Sequence, residues 1–360
     1  MGDQPVRKIL GGLACLGGGL MLCGSPAWAT SHDGCSVSGG SYYNCGDSPR
    51  ASSTAETNDS TNRAGAASVS TAVGNRVANA LKANVTRTAA AETVETGVST
   101  GESGPRYALW AAIGATAISN SVPGAAFSGG LNNQTAGFDL LLNERTVAGV
   151  SVFHEGNSIS TDFNSGQLDA DAWWAVPYVG HDFGQGSSID ALVGLAYVNG
   201  DATRAGGNAK GSFDGYRSMA AVNGHHSLDL GGSWLLRGDV GALWAYSRTN
   251  GYDEKGVVAQ HQSASTSHLV QGKVGGRLST LLGRVEPFAA AYYAYDFVAD
   301  YVGDDGIRPG GSDDADEFQF YLGFDWAPTD TESVGVEISR VVGRDRSESM
   351  GLLLNARLRF

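Results

Sequence analysis

The feature that most limits what this chain can fold into is a two-residue period, repeated in twelve stretches between Tyr107 and Phe360. Strand side chains alternate between faces, so a period of two held over that length dictates an all-β structure. The last stretch, SESMGLLLNARLRF, shows it most simply: Met350, Leu352, Leu354, Ala356, Leu358 and Phe360 share one face, and Gly351, Leu353, Asn355, Arg357 and Arg359 the other. Phe318, Phe320, Leu322, Phe324 and Trp326 likewise oppose Glu317, Gln319, Tyr321 and Asp325. Ala289, Ala291, Tyr293, Tyr295 and Phe297 oppose Glu286, Tyr292 and Asp296, and Trp234, Leu236, Val240, Ala242, Trp244 and Tyr246 oppose Arg237 and Asp239. A strand greasy on one side and charged on the other suits a wall with lipid outside and water within.

The alternating stretches are expected near 107–117, 135–143, 146–158, 169–182, 188–198, 213–228, 232–247, 265–280, 284–299, 315–326, 332–342 and 348–360. Connections after even-numbered stretches are short: Asn143-Glu144-Arg145, Gly184-Gln185-Gly186, Gly231-Gly232, Leu282-Gly283 and Pro328-Thr329-Asp330. Those after odd-numbered stretches are mostly long, as at 119–134, 199–212 and 300–314, with only 343–347 short. Short turns at one end and long loops at the other, with an even strand count, are the signature of a bacterial outer-membrane barrel. A soluble β-sandwich, the rival all-β architecture, has no reason to alternate loop lengths. Aromatics at Trp174-Tyr178, Trp234, Trp244-Tyr246, Tyr295-Phe297 and Trp326 are expected to form the interfacial girdles. The fold class is therefore a transmembrane, 12-stranded antiparallel β-barrel over residues 105–360, and the 52 glycines fit its turns and curvature. A net charge of −13 without a basic patch argues against nucleic-acid binding.

Residues 1–29 read as a signal peptide. Arg7 and Lys8 precede an apolar run, and Ala27-Trp28-Ala29 supplies the small-x-small pattern that places cleavage after Ala29. An uncleaved anchor is the rival, although the run is short for a membrane span. Residues 30–65, rich in Ser, Gly, Asn, Asp and Thr, hold too little apolar surface to fold and are expected to be largely disordered. Within them Cys35 and Cys45 are disulfide candidates in an exported chain, with a metal site as the alternative. Residues 66–104 are expected to contain an α-helix over about 67–94. Val69, Val73, Val77, Leu81 and Val85 form a narrow apolar stripe beside Arg76, Lys82 and Arg87.

Signal, exported segment, helix and a terminal barrel ending in Phe together resemble a type V autotransporter. The parts that carry the resemblance are Tyr107-Ala-Leu-Trp110, the hairpin Thr135-Ala-Gly-Phe-Asp-Leu-Leu-Leu-Asn143 into Val147-Ala-Gly-Val-Ser-Val-Phe153, and the 352–360 ending. The resemblance implies a barrel in the outer membrane, a helix plugging its pore and a passenger carried to the cell surface. It makes Phe360 and Leu358 the barrel assembly signal. It also implies outer-membrane lipid, the barrel-assembly machinery and periplasmic chaperones as partners of a monomer. About 75 residues separate Ala29 from Pro105, far fewer than passengers of the family usually have. The alternative is thus a stand-alone barrel acting as a small-solute pore, or as a surface-binding protein through its loops.

By parity, Arg237, Asp239, Lys273, Arg277, Glu286, Asp296, Gln319, Asp325, Glu337, Arg357 and Arg359 face the lumen. They are expected to form a hydrated charge network holding the helix. Asn75, Asn79 and Asn84 are the residues eligible for self-cleavage within the pore, although the helix has no Asn-Asn junction. The acidic loop around Asp304, Asp305, Asp313 and Asp314 reads as a solvated outer loop rather than a Ca²⁺ site. His225-His226-Ser227 and Ser267-His268 are sequence neighbours pointing to opposite faces, and no zinc, phosphate or nucleotide motif occurs. No enzymatic activity and no cofactor are expected.

Overall fold

The computed structural model describes residues 52–92, 106–122, 125–303, 315–344 and 346–360. Ala29, Cys35, Cys45 and the acidic residues 304–314 lie outside the described residues. Seven long strands come first: β1 (Tyr107–Asn120), β2 (Phe127–Asn143), β3 (Thr146–Thr161), β4 (Gly166–Gly184), β5 (Ser187–Arg204), β6 (Ala209–Gly231) and β7 (Trp234–Thr249). Five follow: β8 (Ser265–Thr280), β9 (Val285–Gly303), β10 (Asp316–Trp326), β11 (Glu332–Val342) and β12 (Ser347–Arg359). Each pairs antiparallel with its sequence neighbours, and β1 pairs with β12 from Ala108↔Arg359 to Asn120↔Ser347. The sheet is thereby closed and has no open edge. One helix, α1 (Ser53–Glu92), runs inside it. Among the described residues no helix is long and apolar enough to cross a membrane; the crossing belongs to the strands.

The outer wall is greasy. Leu195, Phe297 and Leu322 are each more than 60% exposed, and exposed Val, Leu, Ile and Phe side chains recur on every strand. A belt of that extent is stable only against lipid. On β12 the outward residues include Met350, Leu354, Leu358 and Phe360, while Leu353 turns inward to the core. The backbones of Phe360 and Tyr107 exchange two hydrogen bonds at 3.0 and 3.1 Å, and Tyr107 stacks between Phe360 and Phe138. The final aromatic thus completes the β1–β12 seam. At the short turns the chain uses positive φ where Cβ strain would otherwise be greatest, at Gly184, Gly186, Gly231 and Gly232.

Two expectations are corrected at the outer end. The stretch 119–134 is mostly strand, because β2 starts at Phe127, and 199–212 is a tight hairpin between β5 and β6. The reason is an inversion of the pattern. Along β2, Phe127 and Leu131 point inward while Asn132 and Gln134 point out; along β4, Leu168 and Ala170 point inward while Gln167, Asp169 and Asp171 point out. The wall continues above the membrane with water on its outer side, so its alternation changes sign there. The change falls at Trp173, Tyr197 and Tyr216, which are cross-strand partners and all exposed. These rings mark the outer interface. Trp174 and Tyr178, expected in a girdle, are instead buried in the lumen at 2% and 5% exposure.

Candidate functional site: the pore and its helix

The apolar stripe of α1 decides where the helix lies. Val69, Val73, Val77 and Leu81 are buried and share one cluster with Val147, Trp174, Val176 and Leu192 on β3–β5. Each contributes about 1.5–3 kcal/mol relative to a water-exposed position. That side of the lumen is therefore apolar, which is why Trp174 turns inward. The helix approaches it closely: a Cβ on Gly180 would collide with Val77. Two further inward rings, Trp110 and Tyr178, each lie over a glycine directly across the strand pair, Gly137 and Gly149.

The helix starts at Ser53, well before the expected 66–67, so residues 53–65 are ordered helix rather than disordered segment. Several of their polar side chains bond to the barrel wall. Ser53 Oγ donates to the Thr203 carbonyl at 2.9 Å, lies 3.1 Å from Thr161 Oγ1 and accepts from Asn164 Nδ2 at 2.8 Å. Asn58 donates to Ser265 at 3.3 Å and accepts from Ser247 at 2.7 Å; Asn62 donates to Ser267 at 3.2 Å. Buried polar groups with partners are tolerated where lone ones are not. Thr161 and Thr203 belong to the hairpins that project past the outer girdle, so the Ser53 end of α1 lies at the outer mouth and its Glu92 end runs toward the short turns. The loop between β7 and β8 folds over that mouth. Arg204 and Glu254, each with a side chain 2% exposed, are paired at 2.6 Å, and Tyr252 packs on Phe213 beside Ser52 and Thr54.

Charges line the lumen in three tiers. In the outer tier Arg63 of α1 pairs with Asp296, which also binds Arg344 at 2.8 Å; Arg344 reaches Glu317 at 2.6 Å. Across the pore Arg217 pairs with Glu155 at 2.7 Å and donates to Thr61 at 3.0 Å. In the middle tier His225 sits between Asp190 and Asp239, at 2.6 Å from each. Asp239 also accepts from Tyr292 at 2.7 Å and faces Arg237 at 2.8 Å, and Lys273 lies over the Tyr292 ring. In the inner tier Arg76 pairs with Asp139, and Arg277 with Asp325 at 2.7 Å.

The sequence candidates are placed as follows. Asp239, Arg277, Asp296, Gln319 and Glu337 are buried, and Arg237, Lys273, Glu286, Asp325, Arg357 and Arg359 are half-buried at inward positions of the same wall. Arg63 and Arg76 tie the helix to that wall, and Asn75 donates to Glu337 at 3.4 Å. Of Lys82, Asn84 and Arg87 only the helical backbone is described. Sequence reading missed Asp139, Glu155, Asp190, Arg217, His225 and Arg344. All but Arg344 occupy inward strand positions, so parity alone could have found them. On the side away from the apolar stripe the helix does not fill the lumen: a cavity of 140 Å³ separates α1 from β1 and β10–β12, with both polar and apolar residues in its lining, among them Ser68, Thr71, Ser339, Ile118 and Leu352.

A closed barrel, greasy outside and charged within, threaded along its axis by its own N-terminal helix, defines an outer-membrane pore that houses a segment of its own chain. Comparison with known proteins gives the class its family. The model of the autotransporter beta-domain matches residues 109–339, and the chain belongs to that family. No curated protein sequence matches it. Among solved structures, the translocator domain of autotransporter NalP from Neisseria meningitidis is similar over 84% of this chain and 99% of its own, at 16% identity and a TM-score of 0.63. The transport unit of autotransporter AIDA-I from Escherichia coli covers 79% of this chain and 99% of its own, at 14% identity and a TM-score of 0.56. The beta domain of the Bordetella autotransporter BrkA covers 71% of this chain and 100% of its own, at 16% identity and a TM-score of 0.55. The protein is accordingly an autotransporter translocator domain, seated in the bacterial outer membrane, that serves secretion of a passenger.

Proposed function

We propose that the cargo of this translocator is the segment ahead of α1, residues 30–52, delivered to the cell surface together with the loops of the outer rim. The supporting observation is the direction of the helix, whose Ser53 end is held at 2.9 Å by the Thr203 carbonyl at the outer mouth. Residues preceding Ser53 continue from that point. Phe360 and Leu358, as the last outward residues of the closing strand, are the signal read by the barrel-assembly machinery, with periplasmic chaperones and lipid as the other partners of a monomer. The domain works without catalysis. Both nitrogens of His225 lie 2.6 Å from carboxylates, Asp239 and Asp190, so the ring is engaged in the lumen network.

The test is an epitope inserted ahead of Ser52 in cells that express the full chain. Protease added to intact cells is expected to remove the epitope and leave the barrel. Protection of the epitope until the outer membrane is permeabilised would overturn display.

A further inference from the structure

The lipid-facing wall is not evenly thick. Its outward side chains follow the strand register, and one cross-strand row is built of small residues. Ala356 of β12 pairs with Ala111 of β1, Ala111 with Ala136 of β2, and Ala136 with Val152 of β3. Val334 of β11 continues the row at one end and Ala175 of β4 at the other. The next outward row on the periplasmic side is large: Leu358, Leu109, Phe138 and Val150 are successive cross-strand partners, all exposed. Leu354 and Ile113 stand on the opposite side of the alanines. Exposed Trp326 and Leu195 close the row at its two ends. Alanines between two ridges leave a furrow across the β1–β12 seam, an open and mostly apolar groove of 810 Å³.

A groove on a wall that faces lipid is filled by hydrocarbon. A second copy of the chain fits it poorly, because a two-fold interface sets a patch against itself and two facing furrows enclose a void. An acyl chain is narrow, flexible and long enough. Neighbouring strands lie about 4.8 Å apart, so the floor from Val334 to Ala175 runs for about 24 Å. Tail and surroundings are equally apolar, so the attraction comes from close packing and not from excluding water.

The polar end of the groove selects the leaflet. Its lining includes Pro328 and Glu332, at the short turn between β10 and β11, and neither Gln134 nor His154 at the outer end. That turn carries two cations and two anions. Arg284 donates to the Pro328 carbonyl at 2.7 Å and stands 3.8 Å from the Asp330 carboxylate. Arg359 donates to the Asp330 carbonyl, and Glu332 accepts from Thr329 Oγ1 at 3.1 Å. Arg284, Asp330 and Glu332 are exposed. A balanced patch of this kind matches a zwitterion, with its phosphate toward Arg284 and its ammonium toward Glu332 and Asp330.

We propose that the furrow holds one acyl chain of an inner-leaflet phospholipid whose zwitterionic, amine-bearing headgroup sits at the β10–β11 turn. The inference rests on membrane lipid being a partner of the barrel, and adds which lipid and where. The tail lies across β11, β12 and β1–β3, and so braces the seam from outside.

The experiment is native mass spectrometry of the full chain, purified from outer membranes in a mild detergent and titrated with phosphatidylethanolamine or phosphatidylglycerol of matched tails. One phosphatidylethanolamine per barrel is expected to survive detergent that strips the rest. Ala111→Leu fills the floor and should weaken retention roughly ten-fold through lost tail packing. Ala242→Leu, at an exposed outward alanine of β7 away from the furrow, should retain the lipid like the unmodified protein. Glu332→Gln should weaken retention about two- to five-fold, the range of an exposed ion pair. Equal retention in Ala111→Leu and the unmodified protein overturns the furrow while leaving lipid a partner; no retained lipid in any form overturns both. Equal retention of phosphatidylglycerol overturns the headgroup, and preferred retention of an outer-leaflet glycolipid overturns the leaflet. A dimer that Ala111→Leu abolishes overturns the lipid in favour of a second copy. Where Ala111→Leu gives no heat-modifiable barrel, Ala356→Leu replaces it with the same expectation.

Discussion

Gly65 and Gly74 lie on the same helix but meet the barrel wall differently. A Cβ on Gly65 would run into the Glu155 carboxylate, which Arg217 at 2.7 Å and Asn157 at 3.1 Å hold in place. At Gly74 the nearest atom is Asn223 Nδ2 at 3.5 Å, an ordinary contact. Gly65→Ala should therefore destabilise the docked helix by about 1–3 kcal/mol through overpacking. Gly74→Ala should be neutral or stabilise by up to about 1 kcal/mol from helix propensity. Thermal unfolding of the two variants in detergent checks this, and equal shifts would mean that α1 does not sit as described. Neither glycine's role was legible in the sequence, because each depends on which strand residue stands opposite.

The helix is the element whose extent the sequence understated. Val69 to Leu81 announce themselves by spacing, but Ser53 to Asn62 look like a disordered tract. They become helical because the lumen offers Ser247, Ser265, Ser267 and the Thr203 carbonyl as partners. Removing residues 53–66 should leave the barrel heat-modifiable and raise its conductance in planar bilayers several-fold over the full chain, because the outer half of the lumen loses its filling. Conductance identical to that of the full chain would refute the plug. The loop between β7 and β8 makes a second test at this scale. Glu254→Gln removes the carboxylate that the buried Arg204 faces, a change worth about 3–5 kcal/mol for buried pairs. Added protease should then cut within 254–262 faster in the variant, while the barrel strands stay protected.

The whole molecule is a closed sheet whose seam depends on its last residue. Deleting Phe360 removes both backbone bonds to Tyr107 and the ring stacked on it. The yield of heat-modifiable barrel in outer membranes should fall several-fold, and an unchanged yield would contradict a seam-closing role. The same gel tests the barrel itself, since equal mobility with and without boiling would exclude it. The strand count, the closing strand and the lipid-facing residues followed from the sequence, because lipid outside and water inside impose opposite chemistry on successive residues. Within the membrane, that solvent boundary is local and leaves its mark on each strand. Above it the outer face meets water, so the marks invert, and the continuation of β2 and β4–β6 beyond Trp173 and Tyr197 was hidden. Which lumen charges pair, why Trp174 and Tyr178 turn inward and where α1 begins were settled by the tertiary structure alone. Those features arise from contacts between residues distant in the chain, such as Arg63 with Asp296 and Arg76 with Asp139, that exist only once the helix is inside the barrel.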